Sequence, residues 1–190
     1  MIEFMRKDFG SKTWLYPMPV LIVAAYDKSG VPNAMNAAWG GIYTDNMIGV
    51  CLDEGHKTTQ NILDAKAFTV SIGNVDCVEA CDYLGLVSGD KVPDKLSRAG
   101  FHLVSSRHVN APIIEELPLT LECEMVSYDQ ESNHLVGRIV NVSADESILT
   151  EGNIDIAKLR PIVYDTIQHQ YREVGEVVGK AFSAGKRYMK

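Results

Sequence analysis

Pro19-Val-Leu-Ile-Val-Ala-Ala-Tyr26, closed by Asp27-Lys-Ser-Gly30 and followed by Asn33-Ala-Met-Asn-Ala-Ala-Trp-Gly-Gly41, is the stretch that decides the fold of this chain. The first run is apolar and β-branched, and Gly30 supplies the positive φ that its closing turn needs. Asn33 to Tyr43 reads as a second strand and Met47 to Leu52 as a third, with Thr44-Asp45-Asn46 turning between them. Links this short imply antiparallel pairing, because a parallel crossover takes a dozen residues or more.

Working outward, Lys57 to Lys66 reads as a helix capped by Thr58 or Thr59, with Ile62, Leu63, Ala65 and Ala67 on its apolar side. Phe68 to Ile72 is a further strand, Val75 to Leu84 a helix, Gly85 to Pro93 a loop and Asp94 to Ala99 a short helix. Phe101 to Val104, Leu119 to Tyr128 and Leu135 to Val142 supply three more strands, with Asp129 to His134 as a hairpin loop, and Ile162 to Tyr164 is a short strand candidate. Residues 174–186 read as a C-terminal helix, with Val174, Val177, Val178, Ala181 and Phe182 as its apolar stripe and basic residues in its last turns. No repeat and no long linker divides residues 1–190, so a single domain is expected. Its class is mainly β with peripheral helices (α+β): a closed or nearly closed antiparallel barrel.

Composition narrows the function classes. The chain has 190 residues, 46% apolar and 23% charged, and 18 basic against 25 acidic side chains leave a formal charge of −7. Such a chain repels phosphate backbones, so nucleic acid is not the expected partner, and any anionic ligand needs a local positive patch. The longest apolar run, Val20 to Tyr26, is too short to span a bilayer, so no membrane partner is expected either. Residues 1–12 carry charges and no long apolar run, unlike a secretory signal. Cys51, Cys77, Cys81 and Cys123 form no CxxC pair and no zinc-ligand spacing, which reads as reduced thiols in the cytoplasm and no metal site.

Two segments depart from what a purely structural barrel requires. Residues 33–41 are unusually small for a strand, and small side chains let a planar ligand lie against the backbone. Asn36 adds polar reach, and Trp39 either packs beside a ligand or fills the core. The alternative is a strand thinned to fit a crowded neighbour. His56-Lys-Thr-Thr-Gln-Asn61 sits where a strand gives way to a helix, and free N–H groups, two hydroxyls and a lysine form an anion cradle there. The alternative is an ordinary capped helix with Lys57 solvated. A flat slot and an anion cradle joined by one strand suit a planar ring with a phosphate tail.

Pro17-Met-Pro-Val-Leu-Ile-Val, residues 27–40, His56-Lys-Thr-Thr-Gln-Asn-Ile, Phe68-Thr-Val-Ser-Ile and the ending Gly175-Glu-Val-Val-Gly-Lys-Ala-Phe-Ser-Ala-Gly-Lys resemble the flavin reductase-like family, on its flavoredoxin side. The resemblance runs from Pro17 to Lys186 and rests on the order and spacing of the motifs. It implies an FMN-binding split barrel working as a homodimer, with each flavin near the subunit interface. By position it assigns Met35, Asn36, Ala37, Ala38 and Trp39 to the isoalloxazine ring, and Cys51, Leu52 and Asp53 to the ring and ribityl chain. Lys57, Thr58, Thr59 and Asn61 fall to the phosphate, with Ser88 and Lys95 as further phosphate contacts.

One departure concerns the electron donor. Reductases of the family that use NAD(P)H often carry Gly-Asp-His before a strand, whereas this chain has Ser132-Asn133-His134 and keeps only the histidine. His134 is the candidate substrate contact, for a nicotinamide, and a plain loop histidine is the alternative. The expected function is FMN-dependent oxidoreduction, with NAD(P)H or a redox protein as donor and no catalytic residue of the protein's own, since the flavin performs the chemistry. The rival is a non-catalytic FMN-binding or storage protein. Cys77 and Cys81 share one helix face at i, i+4, as a redox pair or as buried structural thiols.

Overall fold

The computed structural model describes residues 5–189. Its centre is one antiparallel sheet of seven strands in the order β3-β2-β6-β9-β10-β5-β4. These are β2 (Leu21–Tyr26), β3 (Pro32–Ala37), β4 (Gly40–Thr44), β5 (Met47–Cys51), β6 (Ala67–Ile72), β9 (Leu119–Asp129) and β10 (His134–Ala144). Smaller pairs lie around it: β7 (Leu103–Ser105) with β8 (Pro112–Ile114), and β11 (Leu149–Thr150) with β12 (Asn153–Ile154). A third small sheet joins β1 (Met18–Pro19), β13 (Ile162–Asp165) and β14 (Gln170–Glu173).

The second expected strand is in fact two. Residues 32–37 pair with β2, whereas residues 40–44 pair with β5. β3 and β4 are therefore the opposite edges of the sheet, joined only through Ala38 and Trp39. A flat seven-stranded sheet would hold its edges about 28 Å apart at the ordinary spacing between strands. A two-residue link cannot span that, so the sheet curls until its edges almost meet. The Cys51 amide donates to the Trp39 carbonyl at 2.8 Å and pins the link to β5.

β2 is buried on both faces, which explains why its sequence is continuously apolar rather than alternating. Leu21, Val23 and Ala25 face the barrel interior with Phe68, Val70 and Ile62. Val20, Ile22 and Ala24 face outward beneath Cys81, Leu84, Leu96 and Phe101. That outer layer holds α2 (Val78–Leu86) and α3 (Lys95–Arg98), while α1 (Lys57–Ala65) plugs the interior with Ile62 and α4 (Ile156–Leu159) precedes β13.

Three further expectations shift. α1 is capped by His56, without a side-chain bond, not by Thr58 or Thr59, and Lys66 closes it in the left-handed region at φ 58°. The strand expected at 101–104 begins two residues later. The helix expected over 174–186 does not form: residues 174–180 are irregular, and only Ala184–Tyr188 makes a 3-10 turn. Gly175 and Gly179 weaken helix propensity, and Val177, Val178 and Phe182 are fully exposed. Among the described residues the apolar stripe has no surface to bury against, and tertiary burial is what stabilises most helices.

Gly137 marks the tightest approach inside the barrel. It sits at a bulge between β9 and β10, and a Cβ there would stand 2.7 Å from Cε1 of the fully buried Phe68. Gly137→Ala is expected to cost about 1–3 kcal/mol by overpacking, read as a lowered midpoint in urea unfolding. A midpoint equal to wild type would show that the barrel interior is looser than described.

Candidate functional site

β5 ends at Cys51, and the chain turns into α1 through Asp53, whose carboxylate accepts the Gly55 amide at 2.8 Å and whose carbonyl accepts the His56 amide. Because no side chain caps α1, its first-turn N–H groups remain available to a ligand. Beside them, Asn33 on β3 donates from Nδ2 to Thr58 Oγ1 at 2.6 Å, which frees the Thr58 hydroxyl hydrogen. Thr59 Oγ1 is buried and has no partner among the described residues. Lys57 Nζ stands 3.7 Å from the Asp27 carboxylate.

Two hollows open along this junction. The first, about 450 Å³, lies between the small-residue segment and the outer layer. Met35, Asn36, Ala37, Ala38, Trp39, Cys51 and Leu52 form one side of it, and Asp82, Tyr164, His169 and Tyr171 line the other. The second, about 310 Å³, is lined by Asn33, Lys57, Thr58, Ser88, Gly89 and Lys95. Met35, Asn36, His56, Gly85 and Leu86 belong to both, so the two hollows form one continuous groove. Gly89 is required for its shape, because a Cβ there would stand 2.7 Å from Cγ of Asn33.

The two ends differ in charge. Lys95 is almost fully buried, and its ammonium donates to the carbonyls of Leu84 at 3.2 Å and Val87 at 3.0 Å, closing the C-terminal end of α2. Burial pushes its pKa down to about 8, with Asp90 opposing the shift. Its third hydrogen has no acceptor among the described residues. At the other end, Tyr171 donates to Asp82 at 2.7 Å and accepts from Asn36 Nδ2 at 3.4 Å. Burial first, then the bond to Asp82, keeps the Tyr171 hydroxyl protonated.

Ala37, Lys57, Ser88 and Lys95 thus border one groove, as do the other residues of the 35–39 segment, Cys51, Leu52 and Thr58. Asp53, Thr59 and Asn61 line neither hollow. Asp53 shapes the turn, and Asn61 is buried, donating to the Ala25 carbonyl at 3.3 Å to tie α1 to β2. His134 also lies outside both hollows: it packs edge-on to Tyr43, with its Nε2 over Gly49. The sequence reading of the site omitted Asn33, His56, Asp82, Leu84, Gly85, Leu86, Val87, Gly89, Tyr164, His169 and Tyr171, and of these only Asn33 and His56 sat inside a segment singled out for chemistry. Cys77 and Cys81 hold no thiolate. Burial, then Glu116 and Asp76, pushes the Cys77 thiol up, and burial pushes Cys81 up to about 12. Among the described residues no cluster of three or more His, Cys, Asp or Glu could hold a metal ion.

The β13–β14 hairpin that carries three of these residues is clamped by Asp165. Its buried carboxylate accepts from the Tyr16 hydroxyl, from the Ile167 amide at 3.0 Å, from the Gln168 amide at 3.1 Å and from Arg172 Nε at 3.0 Å. The Tyr16 bond foremost, then the Gln168 amide, holds the carboxyl well below the usual carboxylate range. A depressed carboxyl contributes stability that is complete above its unfolded pKa, about 3.9, and is lost as pH falls below it. Wild type is therefore expected to lose stability from about pH 4 downward more steeply than Asp165→Asn, measured as thermal midpoints between about pH 5 and 2. Parallel curves would show that the clamp carries no such linkage.

Comparison with known proteins agrees with this fold. The family described as flavin reductase like domain matches residues 13–175. The flavoredoxin of Desulfovibrio vulgaris (Miyazaki F) is 36% identical, with 95% of this chain and 100% of that one covered at a TM-score of 0.91. Flavoredoxin from Methanosarcina acetivorans is 30% identical, covering 98% and 100% of the two chains at 0.88. An uncharacterized protein of Archaeoglobus fulgidus is 28% identical over 148 residues, 75% of this chain and 81% of its own.

Proposed function

Because the chain belongs to the flavin reductase-like family, we propose that it is an FMN-dependent oxidoreductase that passes electrons from a reduced donor, NAD(P)H or a redox protein, through the flavin to an acceptor. FMN is the cofactor. Bound FMN supplies the redox chemistry; the chain binds it, orients it and shields it. The observation that carries this reading is the wall shared by the slot and the cationic hollow, from Met35 and Asn36 across to Gly85 and Leu86.

The residues present fit the group. The small side chains of Ala37 and Ala38, beside Met35 and Asn36, leave a surface for a tricyclic ring, with Trp39 at its rim. Lys57, the Thr58 hydroxyl, the free amides of α1 and the third hydrogen of Lys95 can meet a phosphate. Ser88 borders the same hollow, and the unpartnered Thr59 hydroxyl stands one residue further into the helix. Asp53 and Asn61 would act by shaping the cradle rather than by touching the ligand.

We further propose that the chain acts as one flavin-binding unit and forms a homodimer. Trp39, Ile42 and Tyr43 leave apolar surface exposed at the edge strand β4, beside the ring end of the groove. A second copy laid there would cover it. No helix among the described residues is long and apolar enough to cross a membrane, and the four cysteines are unpaired, both in keeping with a place in the cytoplasm.

Purified protein loaded with FMN is expected to lose its flavin absorbance on adding NADH or NADPH and to regain it with an acceptor. A spectrum unmoved by both nucleotides but bleached by a reduced redox protein would identify a protein-fed carrier, and one unmoved by any donor would favour the storage protein. Lys57→Ala/Thr58→Ala is expected to weaken FMN at least about tenfold, as the loss of a charge-assisted and a neutral hydrogen bond requires. Wild-type affinity in that variant would refute the phosphate assignment.

Lys95 gives the binding a pH dependence. A phosphate beside it favours the ammonium form, so affinity is full below about pH 8 and falls as pH rises through that value. Fluorescence titrations of FMN from pH 7 to 10 are expected to show this slope in wild type and its loss in Lys95→Met. Equal slopes would place the phosphate away from Lys95.

A further inference from the structure

Resting on FMN as the cofactor with its ring in the first hollow, we infer that Asp82 sets the reduction potential of the bound flavin. Its carboxylate places a negative charge, paired with no lysine or arginine, beside the ring. That charge lowers the potential, so the reduced cofactor gives up its electrons more readily.

Asp82 shares a flank of α2 with Gly85 and Leu86, at i, i+3 and i+4, and all three line the first hollow. Cys81 and Leu84 are buried in the layer over β2 and fix how the helix is turned. A chain of hydrogen bonds with a settled direction then holds the carboxylate in place. The Cys81 carbonyl can only accept, so the Asn36 amide turns Nδ2 to it at 3.0 Å, and Nδ2 also reaches the Tyr171 hydroxyl at 3.4 Å. The Asp82 carboxylate accepts likewise, so Tyr171 donates to its Oδ1 at 2.7 Å. The other carboxylate oxygen has no donor among the described residues, and no lysine or arginine lines this hollow. The ionisable side chains that share the wall with it are Cys51, His56, Tyr164, His169 and Tyr171. Lys57 and Lys95 border the second hollow instead, where a phosphate matches their charge.

Two electrons taken up with one proton leave the flavin ring one negative charge richer than the neutral oxidised ring. A carboxylate in the same hollow opposes that added charge and leaves the oxidised ring almost untouched. The interaction therefore differs between the two redox forms, which is what a shift of an equilibrium requires. At the effective dielectric of a half-buried site, one unit charge across a hollow of about 450 Å³ amounts to about tenfold in an equilibrium. Tenfold corresponds to about 30 mV for a two-electron couple. The two ends of the groove thus divide the task. Lys57 and Lys95 hold the molecule by its phosphate in both redox forms alike, whereas Asp82 weakens the hold on the reduced form alone.

The test is a spectroscopic redox titration of the FMN-loaded protein against a dye of known potential, with the affinity for oxidised FMN measured in parallel. Asp82→Asn keeps the shape and, through Oδ1, the bond from Tyr171, and removes only the charge. It is expected to raise the midpoint by about 30 mV or more, equivalent to binding reduced FMN about tenfold more tightly, with oxidised FMN held within about threefold of wild type. Asp82→Ala/Tyr171→Phe removes the carboxylate together with its donor, leaving neither unpaired, and is expected to raise the midpoint likewise. Asp82→Glu retains the charge and is expected to bind reduced FMN within about twofold of wild type. Glu131→Gln takes the same charge from an exposed loop outside both hollows and is expected to leave the potential unchanged. An unmoved or lowered midpoint in Asp82→Asn overturns the inference, and so does an equal rise in Glu131→Gln, which would make the effect one of net charge. Loss of oxidised FMN from Asp82→Asn would make Asp82 a flavin contact and overturn it as well. A wild-type protein that never takes up FMN refutes the proposed function and removes this role with it.

Discussion

The structure depends on a short link. Ala38 and Trp39 connect the two outer strands of a seven-stranded sheet, and so small a bridge is possible only if the sheet rolls round until its edges nearly touch. The same two residues border the slot. The closure of the barrel and the floor of the binding groove are therefore one geometric fact. A bulky or charged residue here would have to be accommodated by both the seam and the ligand surface, so the sequence keeps Ala37 and Ala38 small and spends its one large side chain, Trp39, at the rim.

The groove is polarised along its length. At one end a buried lysine caps a helix, and its remaining hydrogen, with the open amides of α1, makes a positive pocket in a chain whose net charge is −7. At the other end, a side-chain amide, a hydroxyl and a carboxylate (Asn36, Tyr171 and Asp82) are bonded in a chain across three elements: β3, β14 and α2. An acidic protein can hold an anionic cofactor because the field that matters is local, set by a few desolvated groups. In the proposed binding mode this polarity gives the cofactor one direction in the groove, phosphate toward Lys95 and ring toward the hairpin.

How much of this was legible in the sequence differs by element. The apolar run 19–26 announced a strand, and the hexamer 56–61 announced the helix start that the structure places there. The small residues 33–41 announced a slot, but not that the strand breaks within it. That break is decided by pairing with β2 on one side and β5 on the other, and no local propensity records it. Lys95 carried no mark of burial, since a lysine in a Gly- and Ser-rich neighbourhood reads as a solvated cation. The hairpin contribution was invisible for the same reason: Asp165 is clamped by Tyr16, 149 positions away, and Tyr171 meets Asp82 at a separation of 89. The stripe at 174–186 erred in the opposite direction. Its period is helical, but a helix needs a surface to lie on, and Val177, Val178 and Phe182 find none among the described residues.

The central claim is that slot and cationic hollow act as one cradle for one molecule. The most direct measurement is a crystal structure of the protein grown with FMN. The account predicts the isoalloxazine ring against residues 35–39 and the phosphate among Lys57, Thr58 and Lys95. A flavin bound elsewhere on the barrel, or one lying in the slot with its phosphate turned toward Asp82 and His169, would contradict it.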